Sequence, residues 1–268
     1  MRIQIASDLH LETRPSRTFE ELLTPGLTPL LALLGDIAPL SHSNLGPFLE
    51  WCSERWETVV WIPGWTELLA EGSEPRVPAD LEAPVAKMRA LAAPYKNIQI
   101  LYREAMISSD GIYILGLPFW NFPRDGTTLW NPQFGRYVEA EPSPVHPKLL
   151  QKLFNADLAW IRQMVRQQRD PVVVLSHMGP MTWLQEESFV GDPAASIVFQ
   201  DMEELLRPPI VAWICGHTHA SVEYQKTWVD AGGQKSTVLL VTNAKGRPFE
   251  NLYYRTDAVL RINPDLVR

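Results

Sequence analysis

The chain has 268 residues, 46% hydrophobic and 21% charged, which is material for one large α/β domain with a substantial core and not the composition of a disordered polypeptide. Its formal net charge of −7 supplies no basic face for nucleic acid or for an anionic membrane, and no apolar run reaches the ~18 to 20 residues that span a bilayer. Two cysteines, Cys52 and Cys215, make no disulfide framework, and the chain opens on a strand-like segment without a signal-peptide pattern, so a cytoplasmic protein acting on a small molecule is expected.

Arg2–Ser7 alternates and runs into Asp8, while Leu30–Leu34 is a continuous apolar run ending at Gly35-Asp36. Both read as buried strands with acids at their C-terminal ends. A helix is predicted over Gly46–Arg55, then a strand over Thr58–Ile62 that stops at Pro63-Gly64, then a longer helix over Ala79–Ala92. Strands follow near Ile98–Tyr102 and Ile112–Leu117. Residues 118–147 hold six prolines and few periodic apolar positions, the composition of an extended loop or lid over a single domain spanning 1–268. Lys148–Gln168 carries Leu149, Leu150, Leu153, Leu158, Ile161 and Val165 at mostly helical spacing. Three further strand-like runs come last: Val172–Leu175 before Ser176-His177, Val211–Cys215 before Gly216-His217, and Val238–Thr242 before Asn243.

Sites in open α/β sheets assemble in the loops at the carboxyl ends of strands, and the polar residues named above fall there. Asp8 and His10 are two apart in such a loop, and His217 and His219 repeat the spacing at the other end of the chain. Asp36 follows a glycine that lets the backbone turn closely, and His177 stands at another strand end. Singly, each reads as a cap or a turn residue. Together, two carboxylates and four of the six histidines at strand ends read as a set that can hold one or two divalent transition-metal ions. An Asp/His donor set admits manganese, iron or zinc. His42 and His146 lie in Pro/Ser-rich loops and read as surface residues. Ten tryptophans are an unusual number, and several are expected to line a pocket.

The segments Asp8-Leu9-His10, Gly35-Asp36, Ser176-His177 and Gly216-His217-Thr218-His219 resemble, in order and spacing, the motif blocks of the calcineurin-like metallophosphoesterases. The flanking text Ser7–Glu12, Leu33–Ile37 and Thr242–Arg247 is similar to a divergent fungal and bacterial branch of that superfamily. The resemblance implies a four-layer α/β/β/α sandwich with a dimetal centre at its loop edge. It also implies that Asp8, His10, Asp36 and His219 hold the first ion, and Asp36, His177 and His217 the second. The implied reaction is phosphoester hydrolysis by a metal-activated hydroxide, with Asp36, His177 and His217 as catalytic residues.

Gly64-Trp65-Thr66-Glu67 stands where the family has Gly-Asn-His-Glu, whose Asn ligates the second ion and whose His serves the leaving group. An indole nitrogen donates but does not accept, so Trp65 cannot ligate a cation, and Thr66 cannot act as a proton donor near neutral pH. The second ion is therefore expected to bind more weakly. Trp65 and Thr66, with Trp120, Trp183, Phe119 and Trp130, are expected to form an apolar substrate wall beside it, against the alternative of ordinary packing beneath a long loop. The leading reading is a metal-dependent hydrolase of a small phosphodiester or other ester. The alternatives are a Lewis-acid enzyme for a non-hydrolytic reaction of a specialised metabolite, and a non-catalytic binding protein that retains the fold.

Overall fold

The computed structural model describes residues 1–13, 18–69, 81–121, 128–131, 136–139, 147–181, 202–229, 232–233 and 235–263. Strands β1 (Arg2–Ala6), β2 (Leu30–Leu33), β3 (Thr58–Trp61) and β4 (Ile98–Ile100) run parallel in one sheet. In the second, β6 (Tyr113–Leu117), β9 (Val172–Ser176), β10 (Ile210–Cys215) and β12 (Lys235–Asn243) are parallel, in the order β12-β10-β9-β6. Antiparallel edge strands finish both sheets: β13 (Val259–Arg261) beside β1, β5 (Glu104–Ile107) beside β6, and β11 (Ser221–Val229) beside β12.

The period of two in each central strand decides the layering. Leu30, Ala32 and Leu34 with Val60 and Ile62 face Val173, Leu175, Ala212 and Ile214 of the other sheet, forming a core between the sheets. The intervening Leu31, Leu33, Val59 and Trp61 turn outward and pack under helix α1 (Leu45–Arg55) and the second half of helix α3 (Glu82–Ala92). On the far side, Val172, Val174 and Trp213 pack under α4 (Pro147–Gln167) through Leu150, Phe154 and Ile161. Three apolar clusters between four layers make an α/β/β/α sandwich. Gln4, the polar residue inside β1, is fully buried and satisfied: its amide donates to the carbonyls of Thr24 and Thr256 and accepts from the Trp56 indole.

Two features lie between β6 and the end of α4. Residues 118–147, expected as an extended loop, contain an antiparallel ribbon of β7 (Thr128–Asn131) and β8 (Arg136–Glu139), where Thr-Leu-Trp and Tyr-Val favour a pleated strand between prolines. Before that ribbon, the chain leaving β6 is tied down by Asp157 of α4. Asp157 is fully buried, accepts the Trp120 N–H at 2.9 Å and pairs with Arg103 Nε at 2.6 Å. Burial, incompletely offset by Arg103, holds its carboxyl above the ordinary aspartate range. No helix among the described residues is long and apolar enough to cross a membrane.

Candidate metal centre

All six expected ligands meet at the carboxyl ends of β1, β2, β9 and β10, and backbone bonds across the strand ends fix them there. Asp8 N–H donates to the Gly35 carbonyl at 2.9 Å, His10 N–H to the Asp36 carbonyl at 3.1 Å and Gly216 N–H to the His177 carbonyl at 2.9 Å. The His217 N–H donates to Asp8 Oδ2 at 2.8 Å, which ties the first loop of the chain to the last of these. Asp8, His10, Asp36, His217 and His219 all adopt left-handed backbone, with φ of 54°, 46°, 53°, 66° and 48°. Such conformations cost non-glycine residues about 1 to 2 kcal/mol each and persist where function requires them. Five of six candidate ligands sharing the strain is difficult to reconcile with a purely structural cluster.

Two glycines admit this crowding. A Cβ on Gly35, itself at φ +85°, would meet His177 Nδ1 at 2.6 Å, and one on Gly64 would collide with the Asp36 backbone and carboxylate. The close approach lets Glu67 act as a buried clamp. Its Oε2 accepts the N–H groups of Asp36 and Gly64, each at 2.9 Å, and its Oε1 accepts the Ile37 N–H at 2.7 Å. Thr66 contributes its own N–H to Asp36 Oδ1 at 2.7 Å. The short helix α2 (Trp65–Leu68) thus holds the Asp36 loop through main-chain donors and one carboxylate, whatever side chains stand at positions 65 and 66.

The donor atoms converge in two overlapping groups, Asp8 with Asp36, His177 and His217, and Asp8 with His10 and His219, the atoms of each group lying within 4.8 Å of one another. Asp36 presents one oxygen to each side: Oδ1 is 3.6 Å from His177 Nε2 and Oδ2 is 4.0 Å from His10 Nε2. These spacings are too long for hydrogen bonds, and they suit atoms that share a cation with metal–ligand distances of about 2.0 to 2.2 Å. His10 Nε2 and His177 Nε2 are buried with no hydrogen-bond partner, and buried Asp8 Oδ1 lies 3.3 Å from His219 Nε2. Leaving such atoms bare costs roughly 1 to 3 kcal/mol each, a cost that a bound cation removes. The residues therefore fit a divalent metal, and they fit it with the atoms that would ligate.

Electrostatics agree with that fit. Burial alone would raise the Asp8 carboxyl, but its contacts with His219 and the fields of His177 and His10 hold it well below the usual range. Burial pushes His217 down to about 3, with His177 adding to the effect, so its imidazole is neutral and free to ligate. For His219 burial is outweighed by Asp8 and Glu250, which push it up to about 10 in the absence of a cation. The cluster is a negative cage that takes up protons where it lacks another positive charge.

The residues expected to line a substrate wall sit elsewhere. Trp65 and Trp120 are 5% and 1% exposed and pack edge to face, ring centroids 5.0 Å apart, in the apolar cluster beneath α4. Phe119 is fully buried beside them. This corrects the expectation of a wall at Trp65 and Trp120: α2 is anchored so that the indole at its first position turns into the core, where burying a large ring is favourable. Thr66 is half-buried next to Asp36. Trp183 lies outside the described residues, as does the side chain of Trp130.

Three carboxylates around the site escaped sequence reasoning as functional residues. Glu12 meets His10 Nδ1 at 2.9 Å, Glu250 meets His219 Nδ1 at 2.6 Å, and Glu67 forms the clamp. Glu12 and Glu67 stood inside the quoted motifs without a role. Glu250 offered no local signal, because it reaches His219 only through the fold.

No family model matches the chain. It is 20% identical to an uncharacterized protein, L509, of Acanthamoeba polyphaga mimivirus, over 100% of this chain and 99% of that one. Among solved structures it is similar to phosphopantetheinyl hydrolase (PptH) from Mycobacterium tuberculosis, with a TM-score of 0.62 at 16% identity, covering 92% of this chain and 90% of the other. That likeness establishes the fold, a sandwich of the metallophosphoesterase type.

Proposed function

We propose that the chain is a metal-dependent hydrolase of small phosphodiesters, with Asp8, His10 and His219 holding one divalent ion, Asp36, His177 and His217 a second, and Asp36 reaching both. One observation carries the reading: buried Asp8 Oδ1, His10 Nε2 and His177 Nε2, the two nitrogens without hydrogen-bond partners, converge in two overlapping groups that share Asp8. It is supported by a fold shared with a phosphopantetheinyl hydrolase. The net charge of −7 directs the reading toward a small ester and away from a nucleic acid. When bound, the ions supply Lewis-acid polarisation of the phosphoryl oxygens and an activated water nucleophile.

The chain's own residues set what such a site can do. Thr66 N–H and the Glu67 clamp hold Asp36 in one orientation, so the site is arranged before substrate arrives. Position 66 carries a hydroxyl whose proton is not available near neutral pH, so the departing alcohol receives no proton from that side. Good leaving groups are therefore favoured over poor ones.

The test is a series of aryl and alkyl phosphodiesters with manganese-loaded protein. For the wild type kcat/KM falls steeply as the leaving-group pKa rises. Thr66→His flattens that dependence and raises the rate for poor leaving groups by about 10² or more, the scale of general-acid catalysis. Trp65→Asn with Thr66→His adds affinity for the second ion. Absence of turnover across the series in metal-loaded wild type and in both variants would remove the phosphodiesterase reading.

A further inference from the structure

The two halves of the centre are not supported alike. His10 and His219 each have a carboxylate on Nδ1, Glu12 at 2.9 Å and Glu250 at 2.6 Å. His177 instead donates its Nδ1 proton to the neutral carbonyl of Leu34 at 2.8 Å. Trp65, one residue before the Thr66 N–H that holds Asp36, turns its indole into the core against Trp120 and offers the second group no ligand.

Glu250 is held for this contact. Its Oε2 also accepts the Arg247 N–H at 2.6 Å, and the neighbouring Asn251 side chain donates to the Ala244 carbonyl at 2.7 Å and to Ser221 Oγ at 3.0 Å. Gly246, at φ +70°, brings this segment so near that a Cβ there would lie 2.9 Å from His219 Cβ. Glu12 is held more simply, one short turn after His10, with Thr13 closing the turn onto the His10 carbonyl at 2.9 Å. In both pairs the carboxylate keeps the proton on Nδ1, which leaves the Nε2 lone pair facing Asp8 and Asp36.

We propose that Glu12 and Glu250 are positioning residues that make the Asp8, His10 and His219 group the tighter of two unequal metal positions, the one that fills first. A carboxylate on the far nitrogen of an imidazole fixes its tautomer and ring orientation and raises its basicity as a ligand; removing such a partner weakens metal binding by about 10- to 100-fold. The His177 side, with a carbonyl partner and no ligand from position 65, fills second. The inference rests on the metal reading of the preceding subsection.

The test is equilibrium dialysis of the full chain against manganese alone, with low-temperature electron paramagnetic resonance of the bound ion. Wild type binds in two classes. Glu250→Gln and Glu12→Gln each weaken the tight class by 10- to 100-fold, leave the weak class in place and change the spectrum of the first ion bound, and Glu250→Ala weakens it further than Glu250→Gln. The thermal midpoint of the metal-free variants separates positioning from folding, since a purely structural glutamate would lower that midpoint and leave the tight-class affinity per folded chain unchanged. Unchanged tight binding in both Gln variants, or loss of the weak class instead, overturns the inference while the metal reading stands. Failure of the wild type to bind manganese overturns both.

Discussion

Asp36→Ala yields a folded protein that has lost both metal positions, with manganese content below one ion per chain under conditions that load the wild type. The reason is geometric. The two Asp36 oxygens lie 3.6 and 4.0 Å from imidazole nitrogens on opposite sides, so Asp36 offers one oxygen to His177 and the other to His10. Its loss removes a ligand from each side and an anionic charge from between the ions. Metal-assisted stabilisation of developing charge is worth several kcal/mol, so hydrolysis falls by about 10³ or more. His10→Gln, by contrast, depletes only the position shared with Asp8 and His219. Inductively coupled plasma measurement of metal per chain checks both variants, and an Asp36→Ala protein that retains two ions would show the ligand assignment to be wrong.

Glu67→Ala produces the largest loss of stability expected of a residue that neither ligates nor meets substrate. Its carboxylate is fully buried and accepts three main-chain N–H groups, from Asp36, Ile37 and Gly64. Unpartnered buried donors cost about 1 to 3 kcal/mol each, and part of that is recovered as the loop relaxes, which leaves about 3 kcal/mol. For a chain of this size that lowers the melting temperature by roughly 6 to 12 °C. The same carboxyl gives the metal-free protein a pH signature. Burial, reinforced by Asp36 and opposed by the N–H donors, pushes it up to about 7 from an ordinary value of 4.5. On Glu67 the folded state then keeps a proton that the unfolded chain has released, so this carboxyl's contribution to stability falls as pH rises from about 4.5 to about 7, while His217, held down to about 3, contributes with the opposite sign up to about 6.5. Glu67→Gln therefore makes the slope of stability against pH more positive than in the wild type, measurable by urea unfolding of chelated protein across the interval, and identical slopes in the two proteins would assign the titration to another group.

Strands such as Leu30–Leu33 and Val172–Ser176 were legible because they are buried on both faces and read as continuous apolar runs. The ligands were legible because they follow those runs directly, where strand ends put side chains into one crevice. The antiparallel edge strands were not. Ser221–Val229 carries Glu223, Gln225, Lys226 and Thr227 on a largely exposed ribbon, and it is a strand because β12 offers a free row of hydrogen-bonding groups, which its own composition does not record. Direction was equally hidden at Trp65: the sequence tells what an indole cannot ligate, but only the anchoring of α2 by Glu67 and Thr66 turns it toward Trp120. Glu250 lies 31 positions beyond His219, a separation at which no spacing rule applies.

The substitution of Trp65 and Thr66 therefore leaves the scaffold of the centre intact. The clamp, the Thr66 main-chain donor and the six candidate ligands are all in place. On the proposed reading the unequal support of the two halves predicts stepwise loading.

The most direct measurement is anomalous diffraction at the manganese edge from crystals of the full chain grown with manganese. The account predicts one strong peak in contact with Asp8, His10 and His219 and a second, of lower occupancy, in contact with Asp36, His177 and His217. No peak at the strand ends of β1, β2, β9 and β10, or a peak elsewhere with these six side chains unliganded, would contradict it.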